Sequence, residues 1–306
     1  MAAPGHGGHS HGSAVASPGG LYVALACSVA LMAAEVVVAF VSASLTLFAD
    51  AGHLLTDAGA IAGALWVMRL ARRPASPVWS FGFRRAEILA AAVNGMTLLV
   101  VGVLVVVEAV RRLIHPSHVA GVPMVVLACI GVVVTLVSTL VLARADRTSL
   151  NVEGVFQHVL TDLYGFAGTA VAGIVIITTK WFRADAVMSL LVAYLVLRAA
   201  WGLLRTSGRV LLEGTPESVD LEAVRRHLFE LAEVISVHDL HAWTLTSNLP
   251  ALSAHVVVEE SCFHDGTAAV VLDHLQDCLA SHFDVEHSTF QLEPATHPEH
   301  ELGTHA

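Results

Sequence analysis

The chain has 306 residues, 55% of them hydrophobic and only 14% charged, with a mean hydropathy of +0.69 and a formal net charge of -10. This is too apolar for an ordinary soluble domain, and the negative charge argues against nucleic acid as a partner. Cys27, Cys129, Cys262 and Cys278 show no CxxC spacing, so a disulfide framework is not expected.

Residues 1–19 are Gly, Ser, Ala and Pro with His6, His9 and His11, a composition that forms no packed core and reads as a disordered tail able to collect metal weakly. No basic stretch precedes an apolar core, so it is not a usual secretory signal. Residues 20–210 then form the membrane-spanning region. Six segments, roughly 20–42, 45–70, 86–112, 120–144, 152–178 and 184–205, are long and apolar enough to cross a bilayer as helices. Glu35, Glu108 and Arg198 interrupt them and are expected to face protein or water.

The second and fifth segments are the least lipid-like. One carries His53 and Asp57, the other His158 and Asp162. Residues four apart lie on one face of a helix. Two such helices facing each other bring two imidazoles and two carboxylates to one point, a complete shell for a borderline divalent cation such as zinc. Asp50 lies on the same predicted face as His53, as a further partner for it, part of a proton route, or a helix-end carboxylate facing water. Gly52, Gly59 and Gly63 on the second segment, with Gly165, Gly168 and Gly173 on the fifth, permit close helix approach or reflect ordinary membrane-helix composition.

Orientation follows from the basic residues. Nine (Arg69, Arg72, Arg73, Arg84, Arg85, Arg144, Arg147, Arg205, Arg209) flank one side and four (Arg111, Arg112, Lys180, Arg183) the other. This bias puts both termini in the cytoplasm.

From about Glu213 the character changes. Residues 218–232 have helical apolar spacing, 234–246 and 251–259 read as strands, 265–282 as a helix and 285–293 as a last strand. Residues 211–295 are therefore a small α+β domain of order αββαβ, followed by a polar tail, 296–306, with His297, His300 and His305. His238, His255, His287 and Glu293 are spaced along these strands. By spacing alone they read as polar strand residues sooner than as ligands.

The chain resembles the cation diffusion facilitator family, in particular its zinc-transporting branch. The resemblance rests on Ser44–Asp57, Phe81–Gly95, Ser149–Asp162, Leu211–Pro216 and Val237–Leu245, and covers residues 20–294. It implies a polytopic protein of six transmembrane helices with a cytoplasmic αββαβ, metallochaperone-like domain. It also implies a homodimer in the cell membrane and exchange of cytosolic metal for protons. Carried onto this chain, it makes His53, Asp57, His158 and Asp162 the transport site, and His238, His255, His287 and Glu293 cytoplasmic metal ligands. It also associates His at position 53 with zinc over cadmium. Some members bind a further metal in the loop between the second and third segments. Here Pro77–Arg84 has neither His nor Asp, so that site is expected to be missing.

Charge supplies the mechanism. Two neutral imidazoles and two carboxylates are neutralised by one divalent cation. The ligands must be deprotonated to bind it, so metal and protons compete. Competition at a site of alternating access is antiport. Nitrogen ligands disfavour magnesium, calcium and manganese, while cobalt and cadmium remain alternative cargoes. An intramembrane metalloenzyme would need an open coordination position and a general base, and no His-Glu-xx-His motif is present. A metal sensor without transport is the other rival.

Overall fold

The computed structural model describes residues 18–42, 45–116, 121–145, 147–247, 249–285 and 287–297. Six long helices come first: α1 (Gly19–Ser42), α2 (Leu45–Ala71), α3 (Ala86–Ile114), α4 (Gly121–Ala143), α5 (Leu150–Thr179) and α6 (Arg183–Leu211). Among the described residues, four of them are long and apolar enough to cross a membrane: α3, α4 from Met124, α5 and α6. Their outward faces carry Val103, Leu104, Val133 and Trp201, all at least half exposed except Val103, at 49%. Such a surface is stable only against hydrocarbon.

The helices pack as α1 with α2, α4 with α5 and α3 with α6, and α5 also touches α2 and α3. The inner seam of α1, α2 and α5 is closed by Leu21, Ile61, Leu65, Val152 and Val155. Small residues let the helices approach, though not all those the sequence suggests. Gly59, Gly63 and Gly165 meet no atom within 4 Å. Gly168 does meet Val192 closely, as expected, and other close approaches fall at Gly102 against Leu197, at Gly154, facing Asn94, and at Gly131, whose missing side chain leaves the space filled by the Phe166 ring. Of the charged residues within the spans, Glu108 pairs with Arg112 at 3.0 Å, and Arg198 borders a cleft with Gln157 and Thr161. The Glu35 side chain lies outside the described set.

The C-terminal domain begins with α7 (Leu221–Leu228), shorter than the expected 218–232. The Asp220 side chain caps its start by accepting from the amides of Glu222 and Ala223. After Leu228 the chain turns into strand β1 (Val234–Thr246), which pairs antiparallel with β2 (Leu249–Val258). The helix expected over 265–282 is α9 (Ala268–Phe283); a further short turn, α8 (Ser261–His264), precedes it, set off by Gly266 at φ +76. Strand β3 (His287–Glu293) returns parallel to β2, as a helical crossover allows. Val224, Leu228, Val256, Leu275 and Leu279 fill the layer between helices and sheet. The expected αββαβ order thus holds, with α8 as an added turn.

Hydrogen bonds join this domain to the helices. Ser149 stands at the N-cap of α5, but its hydroxyl donates to Glu87 of α3 at 3.3 Å instead of capping its own helix. Thr246 of β1 donates to the same Glu87 oxygen at 3.3 Å, and the first amide of α5, Leu150, donates to the Ser247 hydroxyl at 2.9 Å.

Candidate metal centre

Asp57 is 3% exposed and His158 5%, deep between α2 and α5, with Nε2 of the imidazole 2.8 Å from Oδ1 of the carboxylate. Asp162 lies one turn beyond His158, and ligand atoms of Asp57, His158 and Asp162 all lie within 4.8 Å of one another. The three groups converge although 101 residues separate His158 from Asp57. The side chains of His53 and Asp50 are outside the described set, as are the tail histidines His6, His9, His11, His300 and His305. His53 belongs to α2, one helical turn before Asp57.

Two asparagines hold the helices in this register. The Asn151 amide, 3% exposed, donates to the carbonyl of Ala64 at 2.9 Å, tying α5 to α2. The Asn94 amide donates to the carbonyl of Gly154 at 2.6 Å, tying α3 to α5. Both replace solvent contacts that a membrane interior cannot supply. Sequence reasoning assigned neither a role; a lone Asn in an otherwise apolar span was the available signal. A cavity of about 240 Å³ adjoins the three ligands, bordered by Leu98, Phe166, Met188 and Val192. It reaches Asp185 in the first turn of α6, which Arg112 of α3 meets at 3.1 Å.

The C-terminal domain has a second convergence. His238 and His255 are direct partners across β1 and β2, with ring centroids 5.1 Å apart. Glu293, 1% exposed, places Oε2 3.2 Å from Nε2 of His238 and Oε1 2.7 Å from Nδ1 of His255. Asp239 joins them, its carboxylate 3.8 Å from Nδ1 of His238. Strand alternation would send Asp239 to the opposite face from His238. Instead it takes φ +47 where the β1–β2 register shifts between His238 and His241. The sequence carries no mark of that irregularity. His287, expected with this set, is elsewhere in the chain's own fold. It pairs with Ala251, six residues before Glu293, about 20 Å away along the strand. It is exposed, and its ring meets that of Phe81 at 6.0 Å.

Comparison with known proteins agrees with both halves. Residues 21–212 match the cation efflux transmembrane domain, and residues 216–295 match the cation efflux protein, cytoplasmic domain. The chain is 39% identical over 275 residues to the zinc transporter ZitB of Escherichia coli (strain K12), covering 89% of this chain and 86% of the relative. It is 38% identical over 288 residues to the metal cation efflux system protein CzcD of Cupriavidus metallidurans, covering 94% and 90%. It is also 36% identical over 293 residues to a cadmium, cobalt and zinc/H(+)-K(+) antiporter of Bacillus velezensis, covering 95% and 93%.

Proposed function

The chain belongs to the cation efflux (cation diffusion facilitator) family, whose members are membrane transporters and not enzymes, and from that premise we propose that it exports zinc from the cytoplasm in exchange for protons. The observation that carries this reading is the buried meeting of Asp57, His158 and Asp162 on two membrane helices. Mixed nitrogen and oxygen ligands suit zinc, and His53, four residues before Asp57 on α2, is the fourth ligand in this reading. Cobalt and cadmium fit the same ligands less selectively, and relatives named for zinc, cadmium and cobalt point the same way.

His158 and the carboxylates must be free of protons to hold the cation. Loading the site therefore releases protons, and reprotonation from the far side expels the metal. The cavity from the ligands to Asp185 lies toward the end of the bundle away from the cytoplasmic domain, and supports that side as the exit. Both termini lie in the cytoplasm on the basic-residue bias, and Asp50 serves His53 or its proton. The domain boundaries follow the change in character near Glu213, with tails at 1–19 and 296–306.

In the cytoplasmic domain, His238, His255 and Glu293, with Asp239 beside them, hold a regulatory zinc. Two imidazoles and a buried carboxylate already face one another, so the donor set fits the ion. This domain pairs two chains into a homodimer, in keeping with the family's dimerisation domain. His287 has no place in that shell within one chain and enters only across the dimer.

The deciding experiment is uptake into inverted vesicles with an imposed pH gradient. Zinc accumulation that collapses with the gradient supports the reading. Zinc binding without proton-coupled uptake overturns it in favour of a sensor.

A further inference from the structure

The cytoplasmic domain carries another group of ligand-type side chains on its helical face, opposite the sheet. His227 lies in the last turn of α7, and α9 contributes Cys278 and His282 four residues apart. Packing of α7 on α9 brings the rings of His227 and His282 to 5.2 Å between centroids.

Both imidazoles are held in the same way. Nδ1 of His227 is 3.0 Å from the carbonyl oxygen of Ala223, and Nδ1 of His282 is 3.2 Å from that of Cys278. A carbonyl only accepts, so each Nδ1 carries the proton and each Nε2 keeps its lone pair. The Ser281 hydroxyl agrees with this: it donates to the carbonyl of Asp277 at 2.6 Å and is left to accept from Nδ1 of His282 at 3.0 Å. A ring tied through one nitrogen to a backbone carbonyl, with the other nitrogen free, is how proteins present histidine to a metal. Cys278 is half-buried, one turn before His282 on the same face of α9. Burial pushes its thiol up, and the Glu230 carboxylate pushes it further. A bound cation would offset both effects and release the thiol proton.

We propose that His227, Cys278 and His282 form a binding site for a borderline divalent cation, zinc or cadmium, at the α7–α9 seam. One thiolate and two imidazoles are the donor types such ions take, with water to complete the shell. The two imidazoles are already side by side, and rotation of Cys278 about χ1, which leaves both ring-to-carbonyl hydrogen bonds in place, brings in the sulfur. The site shares no residue with the membrane ligands or with the sheet cluster. Its cation would clamp α7 to α9, two helices that otherwise meet through Val224, Leu228, Leu275 and Leu279.

Sulfur makes the site separable from the others, whose ligands are nitrogen and oxygen. Cobalt titrated into the purified full-length protein should raise a thiolate-to-cobalt charge-transfer band in the near ultraviolet. Cys278→Ser should abolish the band while leaving the melting temperature unchanged. His227→Ala and His282→Ala should each shift its midpoint by roughly tenfold or more. Asp57→Ala and His255→Ala should leave it intact. No band in the wild type, or a band that survives Cys278→Ser, overturns the proposal. Alkylation provides an independent readout: cadmium should shield Cys278 from iodoacetamide in the wild type but not in His227→Ala/His282→Ala. Equal labelling with and without cadmium in the wild type also overturns it.

Discussion

The hydroxyl of Ser247, where the cytoplasmic strands β1 and β2 meet, accepts the first backbone amide of α5 from Leu150 at 2.9 Å. That helix carries His158 and Asp162. Glu87 accepts from Ser149 and Thr246 next to it, so β1, α3 and the start of α5 are joined there. Loss of an N-terminal cap of this kind costs about 1 kcal/mol. Ser247→Ala should therefore lower zinc transport several-fold without changing zinc affinity, and Ser247→Thr should restore it. Unaltered transport rates in vesicles for Ser247→Ala combined with Thr246→Val would show that the contact does not couple the two domains.

Removal of a membrane carboxylate is the direct test of the transport site. Asp57→Ala or Asp162→Ala should abolish transport in folded, inserted protein, a larger loss than the ~10–100-fold that follows when only an outer partner of a metal ligand is removed. Near-normal uptake by either variant would remove the site.

Selectivity should follow ligand type. His53→Asp exchanges nitrogen for oxygen and should weaken discrimination against cadmium and manganese. Competition of each ion against zinc uptake measures this, and an unchanged ranking would place selectivity elsewhere.

In the cytoplasmic domain the geometry distinguishes two histidines that the sequence treats alike. In an Asp57→Ala/Asp162→Ala background, zinc should still raise the melting temperature of the full-length protein. His255→Ala should reduce that rise, because His255 faces Glu293 at 2.7 Å. His287→Ala should reduce it in the dimer, where the partner chain supplies this ring, and an unchanged rise in a dimer verified by analytical ultracentrifugation would remove His287 from the shell. Glu293→Ala should also destabilise the protein by about 1–3 kcal/mol, since it strips two half-buried imidazoles of a partner.

Packing behind the site is tight at one point. A methyl group at Gly131 would collide with the Phe166 ring, which borders the cavity beside Asp162. Gly131→Ala should cost about 1–3 kcal/mol by overpacking and push Phe166 toward the cavity. Slower zinc uptake is expected, with partial recovery in Gly131→Ala/Phe166→Leu; full activity of the single variant would show that the ring has room to move.

The apolar runs and the repeated His-xxx-Asp spacing are local patterns, so the sequence by itself determined the long helices, the soluble α+β domain and the membrane ligand candidates. Helical periodicity places His158 and Asp162 on one face, because a helix repeats its geometry every turn. It says nothing of which helix that face meets. That was decided by the Asn151–Ala64 and Asn94–Gly154 hydrogen bonds and the packing at Gly131, contacts between residues far apart in the chain. In the sheet the difference is sharper. The family resemblance treated His238, His255, His287 and Glu293 as one set, but strand register decides which of them meet. Pairing of His255 with Gln291 brings Glu293 to the imidazoles and carries His287 to the far end. The left-handed turn of Asp239 adds a carboxylate that simple alternation would point away. Register is a relation between strands, set by the turn at Ser247, the α8–α9 crossover and the side chains buried beneath the sheet, so only the tertiary structure contains it.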